Sequence, residues 1–485
     1  MKKNYIQYYK LKIIFFLTFL LIQTNIHLFS QGGSYNPPDG RTAGLAGTGN
    51  ALPGIGLWTW QRNPGFLHYI DSAHTKLSIK IPAFSGQALT NSLSMEDINF
   101  YFAKNAGKGK ILSDKDKANL VDAFSGDGKM FLNTEIEYFS IAFMPDSNTG
   151  TFAFSFKDIF AGSAVLPQSL VDLVLNGNDS GKIYSFNDFE LQSWYLRCYS
   201  FGYARKISMK IGSLKNLRVG ITVKYIQGFA YANSKVTDSY IYTGAYNKLT
   251  GDLTAVTKAS FSPNLNVNYD FDSTSTGQSG KSYSFFSSDP AGTGYGFDLG
   301  FATDIGAGFH FGMSLTNIGV LDWTNQPAQM VTKANFAVDD LIDKKQLDSL
   351  LNSMSTSGTF IDNINTGLPT ALRIGLSCEI HKYIENFAGS LIVAMDIDEG
   401  FDNLPTNSTS PRISFGAMYY PGSYFPTFSL GVGVDQVGKT RFAAGLGYET
   451  KIVDFFAGTT DVITLFGGNN AMHFSAAVTA LWKIY

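Results

Sequence analysis

Residues 427–435 read TFSLGVGVD, and the order of these nine residues decides the class of fold. Phe428, Leu430, Val432 and Val434 share one face of an extended chain, and Thr427, Ser429, Gly431, Gly433 and Asp435 share the other. Strict alternation marks a strand, because successive side chains point to opposite faces. The second face is the informative one. A soluble sandwich turns Lys, Glu and Thr toward bulk water, whereas this face carries small residues and an isolated acid. Small residues with scattered charges suit a crowded, wet barrel interior, and Phe, Leu and Val suit lipid contact.

The same rule extends in both directions. Arg441–Glu449 sets Phe442, Ala444, Leu446 and Tyr448 against Arg441, Ala443, Gly445, Gly447 and Glu449. Arg412–Tyr419 and Ala371–Ile380 alternate likewise, as do Leu217–Tyr225, Tyr295–Phe301 and Phe309–Leu315. Less clean strands are expected near 75–82, 136–145, 150–157, 190–205, 387–397 and 451–458. The last strand spans Met472–Tyr485, with Tyr485 on the opposite parity from its apolar face.

Composition agrees. Of 485 residues, 14% are aromatic and 49 are Gly, while only 16% are charged, against ~25% in ordinary soluble proteins. Mean hydropathy is −0.01, far from that of a helical membrane protein. A net charge of −2 leaves no basic footprint, so no nucleic-acid partner is expected. The two cysteines, Cys198 and Cys378, build neither a disulfide framework nor a cysteine zinc site.

Lys2, Lys3, Lys10 and Lys12 precede the apolar run Ile13–Ile22, and a polar stretch ends at Ser30. This predicts a secretory signal peptide over 1–30, because the apolar run is too short to span a bilayer. Its removal takes four lysines and no acids and leaves a net charge of −6. The exported remainder has no apolar helix of spanning length. In a bilayer that leaves a closed barrel, the other structure that satisfies every backbone hydrogen bond. The expected organisation is a plug or periplasmic segment over 31–72 and an outer-membrane barrel over 73–485.

Connections alternate in length. Pro145–Gly150, Ile305–Gly308 and Pro421–Tyr424 are short, whereas 83–133, 158–188, 271–293 and 320–366 are long. All the long ones fall on one side, as outer loops do. Helices are expected in three of them, over 113–124, 169–175 and 338–354. The first opens with a capping Ser113.

Residues 41–67 read RTAGLAGTGNALPGIGLWTWQRNPGFL. This resembles the N-terminal segment of outer-membrane barrels of the FadL/PorV type, with Arg41, Gly44, Gly47, Asn63 and Pro64 at the matching places. In that group the Asn-Pro pair leads into the first strand. Gly65-Phe66 follows here in place of the commoner Ala-Gly. Phe311–Gly319 looks like a strand those families end with Asn-Ile-Gly. The loop helices and Leu175–Asn178 look more like an uncharacterised branch common in Bacteroidota. The resemblance implies an all-β, transmembrane antiparallel barrel of about 14 strands. Direct reading allows 16, counting 237–246 and 252–270, which either widen the ring or extend neighbouring strands beyond the membrane.

Sites are sparse. Gly280-Lys281-Ser282 lacks the earlier glycine of a phosphate loop, and no helix follows the Gly-x-Gly pairs. None of the six histidines forms a ligand pair, although His310 faces the expected lumen. Asp396 and Asp398 share a face near an outer rim; they read either as a weak calcium site or as a solvated acidic loop. No catalytic set assembles and no cofactor is expected. Three functions therefore compete. The resemblance to the FadL type implies uptake of small hydrophobic molecules past an N-terminal plug and through a kink in the wall. Arg41, Trp58, Trp60, Asn63, Pro64 and Phe66 are then the pocket or plug residues. The PorV type implies instead a non-transporting barrel that holds secreted cargo or another membrane subunit through outer loops 320–366. A barrel enzyme is the third and weakest reading. Beyond these partners, outer-membrane lipid is expected around the wall.

Overall fold

A computed structural model describes residues 39–69, 75–102, 111–208, 215–244, 248–265, 267, 289–306, 308–338, 355–422, 424–434, 439–465 and 472–485. The expected signal peptide and the Gly280-Lys281-Ser282 stretch lie outside the described residues. So does the helix expected over 338–354, apart from Val338, which ends a strand.

Among the described residues there are nineteen strands. In chain order they are β1 (Leu77–Thr90), β2 (Gly128–Asp146), β3 (Gly150–Leu166), β4 (Ile183–Ser185), β5 (Glu190–Lys206), β6 (Lys215–Thr243), β7 (Leu249–Phe261), β8 (Gly292–Gly306), β9 (Phe309–Trp323), β10 (Ala328–Val338), β11 (Ser355–Phe360), β12 (Ile364–Gly367), β13 (Ala371–Glu379), β14 (Ser390–Gly400), β15 (Arg412–Tyr420), β16 (Thr427–Val434), β17 (Thr440–Glu449), β18 (Val453–Thr459) and β19 (His473–Ile484). Fourteen of them, β1, β2, β3, β5, β6, β8, β9 and β13 to β19, pair antiparallel in that order, and β19 returns to β1. The ring is closed, so no strand edge meets lipid.

The two further strands do not widen it. Residues 237–243 continue β6, which runs for 29 residues, about three times the length that crosses a bilayer. Its outer part pairs with β4 and β7, β7 pairs with β10, and β10 with β11. These strands make a sheet standing beyond the outer rim, and β12 adds to the outer end of β9.

The wall alternates as read. In β16, Phe428 and Leu430 are exposed while Thr427 and Ser429 are buried. Rings on neighbouring strands make a row on the outward face, Tyr138–Phe156–Tyr199–Tyr225–Tyr295, with centroids 4.8 to 6.1 Å apart. Aromatic rings at one level of the outward face are what the membrane interface of a transmembrane barrel favours. Beside this row, also on the outward face, the Arg197 Nε donates to Asp158 at 2.8 Å under the hydroxyls of Tyr138 and Tyr195. The register shifts at several places in the wall, one of them between Lys80 and Ala83 of β1. Pro82 has no amide to give there, and the Trp482 indole donates to the Ile81 carbonyl at 3.3 Å.

Two loop helices form as expected. Asp114–Ala123 starts at a capping box of Ser113 and Asp116, and Gln168–Asn176 covers the Ser169–Leu175 expectation. A third, Met95–Phe102, has no sequence precedent above. Tyr485 lies past the end of β19, which resolves its parity.

Candidate functional site

Residues 39–69 lie inside the ring, and almost every one of them is buried. The glycines of the inner wall make room for them. A Cβ on Gly445 would lie 3.0 Å from the Gly44 Cα, and one on Gly431 would lie 2.4 Å from the Leu45 carbonyl carbon. A Cβ on Gly220 would lie 2.2 Å from the Pro64 carbonyl oxygen, and one on Gly202 would lie 2.4 Å from the Trp60 indole nitrogen. The small residues of the second face are thus the seat of a chain segment as well as the lining of a wet space.

Hydrogen bonds fix the segment at both ends and the middle. The Gly40 amide donates to Thr479 Oγ1 at 3.0 Å. The amides of Gly49 and Asn50 donate to Asp396 Oδ2 at 2.6 and 2.8 Å. Ser314 and Ser377 donate to the carbonyls of Arg62 and Ala51 at 2.6 and 2.7 Å. Near the inner rim, the His68 ring bonds Thr151 at 2.8 Å.

The centre of this stitching is a buried ion cluster. Asp398 meets Arg62 at 3.3 Å, Arg373 at 3.1 Å and Arg412, and Asp396 lies 3.7 Å from Arg62. Both aspartates are fully buried. They form no solvated loop, and the places a calcium ion would take at their oxygens are held by guanidinium groups and backbone amides. Among the described residues no group of acids, histidines or cysteines could hold a metal. His310 does face inward, bonded to Asp304 at 2.9 Å.

The segment residues singled out in the sequence take different places. Arg41 donates to the Pro53 carbonyl at 2.8 Å. Trp58 packs edge-on against Phe456, with centroids 5.3 Å apart. Asn63 donates to the carbonyls of Phe301 and Asn50 and caps the turn Pro64–Phe66. The Asn-Pro pair therefore lies in the lumen, well before β1, rather than leading into it. Phe66 lies under the Arg218 guanidinium at 5.2 Å. Of the six, only Trp60 faces the outer half of the lumen. Its indole donates to Thr222 Oγ1 at 2.9 Å.

Above Trp60 the lumen changes character. Inward-facing Trp194, Leu196, Ile226, Trp323 and Leu368 form one buried apolar cluster. Between them and the segment is a cavity of about 50 Å³, floored by Trp60 and Gln61, walled by Ile159, Trp194, Leu196, Cys198 and Ile226 on its apolar part and by Asn133, Glu135, Lys157, Lys224 and Asp298 on its polar part, and roofed by Leu368, Pro369 and Thr406. Two larger apolar hollows lie outside the ring. One of about 340 Å³ sits under the Gln168–Asn176 helix against the outer sheet, lined by Leu173, Phe186 and Leu253 among others. One of about 590 Å³ lies on the flank beneath Met95 and Ile98. Cys198 faces the lumen and Cys378 is the last residue but one of β13, and both are free thiols.

A family model described as a family of unknown function (DUF5723) matches residues 70–460. No curated protein matches. Among solved structures the chain is similar to a FadL homologue of Pseudomonas aeruginosa, at 11% identity and a TM-score of 0.46 over 94% of this chain and all of that one. It is similar to the Ralstonia pickettii toluene transporter TbuX, at 12% identity and a TM-score of 0.44 over 95% and 99%. A mutant of the monoaromatic hydrocarbon channel TodX gives 9% and 0.46 over 93% and 99%.

Proposed function

Since the chain belongs to the DUF5723 family, whose function is unknown, we propose from its own geometry that it takes up small, largely apolar molecules across the outer membrane. One observation carries this reading. The outer half of the lumen turns Trp194, Leu196, Ile226, Trp323 and Leu368 inward, where a water-filled barrel would carry polar groups. Burying these side chains against each other is favourable in any barrel, but a cavity bordered by Trp194, Leu196, Ile226 and Leu368 gives the apolar part of an occupant a surface to pack on.

Capture begins in the apolar hollow of the outer sheet. The molecule then enters the chamber by displacing the roof at Leu368 and Pro369. Trp60 is the floor, and the stitched segment blocks the straight path below. Exit requires the segment to shift, or the wall to part beside its irregularity at Ile81 and Pro82. Trp58, Asn63, Pro64 and Phe66 hold the segment in place rather than touching cargo.

The test is saturable quenching of tryptophan fluorescence by a brominated hydrocarbon, with the protein in lipid nanodiscs. Leu196→Asp should abolish it and Trp58→Ala should not. Quenching that rises linearly, with no saturation, would remove the reading.

A second reading has its own support. The segment fills the inner lumen so completely that a non-transporting barrel is also consistent with the packing. The outer sheet, which includes β10 and β11 of the 320–366 region, would then hold a protein partner. Stoichiometric co-purification of a protein, lost when the outer sheet is trimmed, would favour it.

A further inference from the structure

Four inward positions on neighbouring strands stand on one rung of the barrel. Gln87 is opposite Asn133, Asn133 opposite Ala161, and Ala161 opposite Trp194. Three of these carry polar groups with no hydrogen-bond partner. Both amide atoms of Gln87, both of Asn133 and the indole nitrogen of Trp194 are buried and unmatched, in residues only 3, 2 and 5% exposed. Buried polar groups are ordinarily satisfied, and each exception calls for a reason. Ala161 stands between them and takes little room. Asn133 and Trp194 both line the chamber above Trp60.

The charges of the same chamber are already spent. Lys157 pairs with Glu135 at 3.0 Å, and Lys224 pairs with Asp298 at 2.8 Å. Two cations face two carboxylates, and no ammonium is left over for an anionic ligand. What the chamber offers is neutral: amide donors, an amide acceptor and an indole N–H.

From this we infer that the molecule held above Trp60 has an uncharged head that both donates and accepts hydrogen bonds, on a small apolar body. Alcohols, phenols and primary amides are the chemical class. Asn133 and Trp194 read the head, and Ile159 and Leu196 contact the body. The chamber's volume of about 50 Å³ equals the space of roughly three or four waters, which suits a head group and leaves the body to press upon the roof. A carboxylate would arrive without a counter-charge in a site where burial makes that costly.

This rests on the carrier reading, and the experiment separates the two. The full barrel in phosphatidylcholine nanodiscs is titrated calorimetrically with toluene, benzyl alcohol and benzoate at neutral pH. Benzyl alcohol should bind about tenfold more tightly than either of the others, the worth of one net hydrogen bond. Asn133→Leu and Trp194→Phe should each erase the preference over toluene while toluene binding persists. Benzoate binding as tightly as the alcohol, or a preference that survives both substitutions, would overturn the inference and leave the carrier reading standing. Saturable binding by none of the three would overturn both. A heat-dependent gel shift confirms that each variant is a folded barrel.

Discussion

The indole of Trp60 rests on Gly202 of β5, where a Cβ would come within 2.4 Å of its nitrogen. The lumen segment and the wall are therefore cut to each other at this point. Gly202→Leu should expel Trp60 and break its bond to Thr222. Single-channel recording in a planar bilayer should then show larger or more frequent openings than the native chain, with Gly202→Ala in between. Unchanged conductance would mean that Trp60 does not limit passage.

Asp398 pairs with three guanidinium groups at the centre of the lumen. Asp398→Asn leaves them without that partner, a loss of order 3–5 kcal/mol for a buried cluster. The folded barrel should lose its heat-resistant gel mobility at a clearly lower temperature. Thr48→Ala, which removes one neutral hydrogen bond to Ser414, should cost only about 1 kcal/mol.

In the outer loops, Lys182 reaches Asp172 of the Gln168–Asn176 helix. Burial alone would raise the Asp172 carboxyl, but hydrogen bonds from Lys182 and Asn176 outweigh it and hold it below the ordinary range. Lys182 is held above its ordinary value, chiefly by its hydrogen bond to Asp172. The depressed acid contributes stability that is complete above ~4 and is lost as pH falls through its lower folded value. The raised base contributes stability that is complete below ~10 and is lost as pH rises through its higher folded value. Proteolysis of this helix should therefore be slow across that window and accelerate in acid. In Asp172→Asn the acid step should vanish.

Cys198 is buried on the chamber wall. A small uncharged thiol reagent should modify it slowly in the native barrel and faster in Leu368→Gly, which opens the roof. Saturating benzyl alcohol should slow it again. Mass spectrometry of the labelled peptide reads all three rates, and protection by ligand at Cys378 but not at Cys198 would misplace the chamber.

The ring was legible because four of its C-terminal strands, β13, β15, β16 and β17, alternate strictly. Phe428, Leu430, Phe442 and Leu446 face lipid because nothing else meets them there. The chamber was not legible, and β5 shows why. Its inward Trp194 and Leu196 are apolar and its outward Arg197 is charged, so the period-two signal is blurred where the lumen is dry and the lipid face carries an ion pair. That blur was itself the available sign of an unusual lumen. The fate of Asp396 and Asp398 could not be read from their strand, because their partners Gly49, Asn50 and Arg62 stand more than 330 residues earlier. The same holds for the inner glycines, whose purpose is visible only with residues 39–69 in place.

The segment within the lumen also bears on how the ring comes to be closed. Its first residues bond Thr479 of the last strand, and Gln61 bonds Glu137 of the second. The β1–β19 junction, where chain beginning meets chain end, is thus backed from inside by a clasp that touches both sides. The first of these contacts spans over 430 residues of sequence and is slow to find. Once found, it ties the joining of the first and last strands to the docking of the clasp. A chain lacking residues 39–69 should consequently linger as an open sheet during assembly, even if every strand is sound.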